Sequence, residues 1–238
     1  MADARRRDHL NVAAALCHDT PRARSLIPSR PNRVYSCKRE CVKGDASVRL
    51  KSGEMAPMFA TTDIYGRPFA LNMLAGRRIL LSFNRSAVCP LCNLRFLYLL
   101  DHYAFYQAHG LAVVAIFESP TPVVRRYLDQ RRPQFPTIAD PTDSIYGLYG
   151  VQRSWLGTLR ARLTRGEMYR EAAKHNLGGN TFTQVFGAGR AVNRMPADFL
   201  IDRDLRIQTA YFGHDAGDFL SFGQIHQFIG AYPPGGQR

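Results

Sequence analysis

Nowhere in this sequence does an apolar run approach the roughly 20 residues that span a bilayer. The longest early apolar stretch, Val12 to Cys17, is too short for a secretory core, and no clear cleavage site follows it. Neither a membrane role nor export is expected, and a cytoplasmic location is. Acidic residues are scarce, 19 against 32 Lys and Arg, which leaves a formal net charge of +13. Internal repeats are missing. Cysteine is sparse and odd in number: the five are Cys17, Cys37, Cys41, Cys89 and Cys92. An odd count argues against a secreted disulfide framework. No second close cysteine pair accompanies Cys89 and Cys92 in the orderly part of the chain, so a closed zinc site there lacks two ligands. No metal or cofactor is expected.

What is present is unevenly spread. Residues 1–47 carry a net +5, residues 48–152 +4, residues 153–194 +6 and residues 195–238 −2. Excess positive charge can mark an anionic partner. Neither basic segment contains a nucleic-acid-binding motif, so solvated arginine is the better reading and nucleic acid is not an expected partner. Residues 1–47 are rich in Arg, Pro, Ser and Ala without a sustained period of 2 or 3.6, and read as a disordered basic N-terminal extension. Residues 48–238 read as one domain, with a basic helical insertion at about 153–194.

Within that domain the pattern is orderly. Met58–Asp63 and Phe69–Leu71 are short strand candidates around the turn Tyr65-Gly66-Arg67-Pro68. Arg78–Phe83 and Leu111–Phe117 are near-continuous apolar runs, as expected of strands buried on both faces. Between them a helix runs from the two cysteines to Gly110, a C-cap candidate. A helix follows Ser119-Pro120 to about Gln130. Pro136–Ala139 is a short strand and Thr142–Tyr149 a short helix. Residues 155–176 are helical in pattern, with Trp155-Leu156-Gly157, Leu159, Leu163 and Met168 expected to anchor one apolar face. A Gly- and Asn-rich loop spans 178–190. Ala197–Asp202 and Ile207–Phe212 form a hairpin, and Ser221–Ile229 is a closing helix. Alternating βα units followed by an antiparallel hairpin imply a mixed central sheet flanked by helices.

The chemistry is concentrated in Ser86-Ala87-Val88-Cys89-Pro90-Leu91-Cys92. A buried strand leads into a loop, and a helix starts there. Cys89 falls at the helix cap and Pro90 at its first position, where a missing N–H costs nothing. Unpaired amide groups and the positive end of the helix dipole then point at the Cys89 sulfur and favour thiolate. Arg85 and the Ser86 hydroxyl are near enough in sequence to add charge or a hydrogen bond. Cysteines so placed have pKa values of roughly 3.5–7.5, against about 8.5 for a free thiol. Cys92 lies one helical turn on, deeper in the helix, as a resolving thiol. Met195-Pro196 precedes a strand, and a cis proline there would set backbone against the redox pair. His102, His109, His214 and His226 are expected on the surface or in packing.

These residues resemble a family. Val88-Cys89-Pro90 with a hydroxyl at Ser86 is similar to the peroxidatic motif of peroxiredoxins. Gly53-Glu54-Met55-Ala56-Pro57, Asp140-Pro141 with Tyr149-Gly150-Val151, and Phe199-Leu200-Ile201-Asp202 extend the resemblance over about 48–152 and 195–230. The group is the alkyl hydroperoxide reductase/thiol-specific antioxidant (redoxin) proteins, in particular a peroxiredoxin-like subgroup with C-P-x-C. The resemblance implies a thioredoxin-like three-layer sandwich and a thiol-dependent peroxidase, with Cys89 attacking peroxide and Cys92 closing a disulfide. It also implies a thioredoxin- or glutaredoxin-type thiol reductant, and a homodimer is compatible with it. Three positions depart from the pattern. Ser82 stands where the motif has proline, Ser86 where threonine is usual, and Pro196 where an arginine usually polarises the peroxide. Arg194, Arg153 and Arg85 are the candidates for that charge. Two other readings stay open: a thiol–disulfide oxidoreductase acting on protein or glutathione disulfides, favoured by the adjacent cysteines and Pro196, and a redox-responsive binding protein using the basic segments.

Overall fold

The computed structural model of the chain describes residues 49–177 and 192–232. The expected disorder of residues 1–47, the loop expected at 178–190, the chain end from 233, and Cys17, Cys37 and Cys41 lie outside the described residues.

Two short strands, β1 (Ala60–Thr62) and β2 (Pro68–Ala70), pair antiparallel around Gly66, whose φ of +81° suits a residue without Cβ. Five further strands make the main sheet: β3 (Arg78–Asn84), β4 (Leu111–Phe117), β5 (Thr137–Ala139), β6 (Ala197–Ile201) and β7 (Ile207–Phe212), in the order β5-β4-β3-β6-β7. β3, β4 and β5 run parallel, while β6 and β7 are antiparallel to their neighbours. The parallel pairs need helical crossovers. These are α1 (Pro90–Asp101) with α2 (Tyr103–Ala108), and then α3 (Thr121–Leu128).

The apolar runs of β3 and β4 feed a core on each face of the sheet. Leu80, Val113, Ala115 and Phe117 pack with Phe96 and Leu99 of α1, Val124 and Leu128 of α3, and Ile225 and Ile229 of the closing helix. Ile79, Leu81, Phe83, Val114 and Ile116 face the other way. They meet Ile145 and Tyr146 of α4 (Ser144–Leu148), Tyr149, and Phe69 of the small hairpin. Helices, mixed sheet, then helix and hairpin give three layers, and the strand order is that of the thioredoxin-like fold. The long helix expected from Cys89 to Gly110 is broken at His102, whose ring nitrogen lies 2.8 Å from the Tyr98 carbonyl and competes with the His102 amide for it. The His102 ring stacks on Phe222, 5.3 Å away, and lies 6.2 Å from His226. Burial, and then His102, push the His226 pKa down.

Two helices occupy the described part of the insertion, α5 (Trp155–Thr164) and α6 (Gly166–Lys174). Their stems are tied together: Ser154 N–H donates to Asn193 O (2.7 Å), and Met195 N–H to Gln152 O (3.0 Å). The side expected to anchor α5 is the wrong one. Trp155, Leu156, Leu159 and Leu163 point outward, and Gly157 and Ala161 pack inward. The reason is steric. A Cβ on Gly157 would lie 2.5 Å from Met195 Sδ and 2.8 Å from His214 O, so the close approach admits only the smallest face of the helix. Met168 of α6 does turn inward, against the cores that hold α1. α7 (Phe222–Ile229) closes the fold, capped by Ser221, whose Oγ accepts from Gln224 N–H.

Candidate active site

Cys89 is the N-cap of α1, with extended backbone (φ −75°, ψ 120°) and Pro90 at the first helical position, as the spacing predicts. The loop that delivers it is held from within. Cys89 N–H donates to Ser86 O (3.0 Å), and the Asn93 amide donates to Ala87 O (2.6 Å) and Cys89 O (2.9 Å). The Ser86 hydroxyl pairs with Ser119 Oγ (3.2 Å) and accepts from Val88 N–H (3.3 Å). The expected bond from that hydroxyl to the sulfur is not formed. A short polar loop with free amides has used it to fix its own turn.

Both thiols are buried and reduced. Cys92 is fully enclosed, and Cys89 keeps 8% of its surface open. The Cys92 thiol donates to the Cys89 sulfur, and this is the main reason why the Cys89 pKa is lowered to about 6. Burial opposes it. The Arg85 cation and the first-turn amides of Cys92 and Leu91 add to it, although neither amide closes a full capping bond. Cys92 is pushed up, by burial first and then by its role as donor to Cys89. The two sulfurs, one helical turn apart, are thus shifted in opposite directions, Cys89 toward thiolate and Cys92 toward thiol.

Arg85 supplies the cation beside the sulfur. Its Nη1 lies 3.9 Å from Cys89 Sγ, and its Nη2 reaches Thr158 Oγ1 (3.4 Å) and the Val192 carbonyl. Arg194 and Arg153, the other two candidates for this charge, are engaged elsewhere. Arg194 pairs with Glu118 (2.5 Å) and Asp143 (2.6 Å) and lies over the Tyr146 ring; Arg153 pairs with the same two carboxylates. Glu118 N–H in turn donates to Arg85 O (2.9 Å), so the ion cluster backs the reactive loop from behind.

Pro196 does not meet the expectation of a cis bond. No peptide bond among the described residues is cis, and the Met195 amide and Pro196 carbonyl are bonded to Gln152 O and Gly213 N–H in extended chain. Pro196 lines a cleft with Gln152, Ser154, Phe212 and His214. Sequence reasoning missed Asn93, Ser119, Glu118 and Tyr169. Tyr169, on α6, packs on the core that contains both cysteines, and its phenol pKa is raised by burial and then by the Cys89 charge. Only Asn93 left a local signal, a polar residue in the first turn of an otherwise apolar helix.

Exchanging Arg85 for Gln should raise the Cys89 pKa by about one unit, as loss of an opposite charge within 4–6 Å does. The pH dependence of Cys89 alkylation by iodoacetamide reads this directly. A midpoint that stays put would mean that the amides and Cys92 acidify the sulfur without the cation.

A thioredoxin-like sheet presenting an acidified cysteine at the start of its first long helix, with a second thiol one turn below, defines a dithiol redoxin. The AhpC/TSA family model matches residues 52–210, and the chain belongs to that family. It is similar to thiol-disulfide oxidoreductase ResA of Bacillus thuringiensis, 29% identical over 104 residues, 43% of this chain and 60% of that one. The chain thus spans about three-fifths of the length of the ResA relatives. A Mycobacterium tuberculosis protein assigned to the peroxiredoxins is 26% identical over 117 residues, 48% of this chain and 74% of that one. Among solved structures, peroxidoxin BcpB of Mycobacterium tuberculosis superposes with a TM-score of 0.54 at 17% identity, covering 76% of this chain and 96% of that one. The thiol peroxidase of Chromobacterium violaceum gives 0.53 at 14% identity, covering 77% and 88%. At these identities the two structures bear on the fold alone.

Proposed function

We propose that this chain is a thiol peroxidase. The Cys89 thiolate attacks one peroxide oxygen, the O–O bond breaks, and the departing oxygen leaves as water or an alcohol after taking a proton. Cys89 is then a sulfenic acid. The Cys92 thiol attacks that sulfur, water leaves, and a Cys89–Cys92 disulfide remains. An external dithiol of thioredoxin or glutaredoxin type returns two electrons.

The observation that carries this reading is a cation placed beside a sulfur with almost no open surface. The cation matters more than the acidity. With a pKa of about 6, Cys89 is about 90% thiolate at pH 7, against about 3% for a free thiol, a gain of about thirtyfold. Nucleophilicity falls as pKa falls, with a Brønsted slope of about 0.4–0.5, which over this interval removes about tenfold. Acidity alone therefore leaves only about a threefold advantage. Charge and dipoles aimed at the breaking O–O bond must supply the remainder, and a single preorganised donor of that kind is worth about a hundredfold.

Stopped-flow mixing with hydrogen peroxide tests this. Oxidation about a hundredfold faster than free cysteine is expected, and a rate no greater than that of free cysteine removes the proposal. The likeness to ResA and the adjacent thiols favour a second reading, exchange with disulfides. Turnover of glutathione disulfide or insulin exceeding that of peroxide would select it.

A further inference from the structure

Helix α5, WLGTLRARLT, has two apolar sides of different kinds. Gly157 and Ala161 are buried, and Thr158 bonds toward Arg85. Away from them, Leu156 is 80% exposed, Leu159 56% and Leu163 77%. At about 100° per residue these three fall in one sector of about 60°. Arg162 and Arg160 flank it, Arg162 with no carboxylate against it among the described ion pairs and Arg160 with its Nε 3.8 Å from Asp215 Oδ2. No carboxylate occurs in the sequence between Asp143 and Glu167. The result is an apolar stripe fringed by cations, of the kind that marks an interaction surface.

Charge decides among occupants. A second copy docking stripe to stripe would set arginine against arginine. The fitting partner is apolar at its centre and acidic at its rim. Place narrows the choice further. α5 reaches Arg85 through Thr158, and Arg85 reaches Cys89, so the stripe lies one helix away from the reactive sulfur.

We propose that the outward face of α5 docks an acidic dithiol protein that reduces the Cys89–Cys92 disulfide. This rests on the redox reading of the cysteine pair. The partner thiolate attacks Cys89, the sulfur with open surface, and Cys92 leaves and takes a proton. The second partner thiol then attacks its own mixed-disulfide sulfur. Cys89 leaves as thiolate, and the partner carries away the disulfide, two electrons having passed inward.

The test uses the full chain with Leu156→Gln and Leu163→Gln together, both side chains being exposed enough to spare the core. The disulfide is formed with diamide, so reduction is measured whether or not peroxide proves to be the substrate. The reductants are dithiothreitol and an acidic thioredoxin. The expected result is an unchanged dithiothreitol rate and a KM for thioredoxin raised about tenfold or more, the loss typical of a central apolar contact. Added salt should raise the KM of the parent chain as well. An unchanged thioredoxin KM overturns the proposal. So does a parent disulfide that thioredoxin reduces no faster than dithiothreitol does at equal concentration. Loss of binding to phosphatidylglycerol vesicles without a change in thioredoxin KM assigns the stripe to a lipid surface, and also overturns it. Slow reaction of reduced Cys89 with peroxide would count against the peroxidase reading alone.

Discussion

Cys89→Ser abolishes peroxide turnover, and Cys92→Ser stops it after a single event; this is the expected pair of results. A serine hydroxyl is not ionised near neutral pH, so neither the Arg85 charge nor the helix dipole can convert it into a comparable nucleophile. Cys92→Ser keeps a donor beside the Cys89 sulfur and removes only the thiol that closes the disulfide. Mass spectrometry should then find one added oxygen on Cys89 and no loss of two hydrogens. Cys92→Ala should behave differently in one respect. The Cys92 thiol is the largest cause of the lowered Cys89 pKa, so deleting the donor raises that pKa above about 6. In the parent chain the rate rises with pH through about 6 and levels off above it, because only the thiolate reacts. The alanine variant should show the same curve displaced to higher pH. Turnover retained by Cys89→Ser would move the nucleophile elsewhere and end the proposal.

Arg194→Met should cost about 3–5 kcal/mol of stability, because it strips one cation from a buried ion cluster. The Arg194 side chain is 5% exposed and that of Glu118 3%, and Arg194 also donates to Val151 O (2.6 Å). A urea unfolding midpoint reads the loss, and Lys174→Met, at an exposed pair, should leave that midpoint where it is. Acid should weaken the same cluster gradually. Burial pushes the Asp143 carboxyl up, but Arg153 and Arg194 outweigh it and hold its pKa below the usual carboxylate value. Its contribution is therefore complete above about pH 4, the unfolded value, and fades as pH falls below it. The acidity of Cys89 should survive Arg194→Met, since Arg85 is the arginine beside the sulfur. An Arg194→Met chain as stable as its parent would show that Arg153 suffices for both acids.

The reactive pair was legible in the sequence because its signals are local. A buried run, a short loop and C-P-x-C fix cap, dipole and turn spacing within a dozen residues, and Arg85 lies inside that window. Glu118, Asp143, Arg153 and Arg194 come from four separate stretches, and only the folded sheet brings their charges together. The geometry at Pro196 was out of reach for a related reason, since the extended chain there is set by Gln152 and Gly213. The orientation of α5 was misread because leucine and tryptophan normally point inward. Here the inward contact is so close that glycine and alanine make it, and the large side chains are left outside. The break at His102 depends on which carbonyl a ring nitrogen finds, and helical periodicity does not encode that.

The guanidinium next to Cys89 takes its outer support from Thr158 and Val192, both of which belong to the appended basic stretch rather than to the common scaffold. Reactivity and recognition are thereby yoked. Exchanging the appendage for that of a relative would retune the sulfur while leaving every strand and the first helix untouched. Divergence among such proteins can consequently alter how fast they react by editing residues that never touch the oxidant.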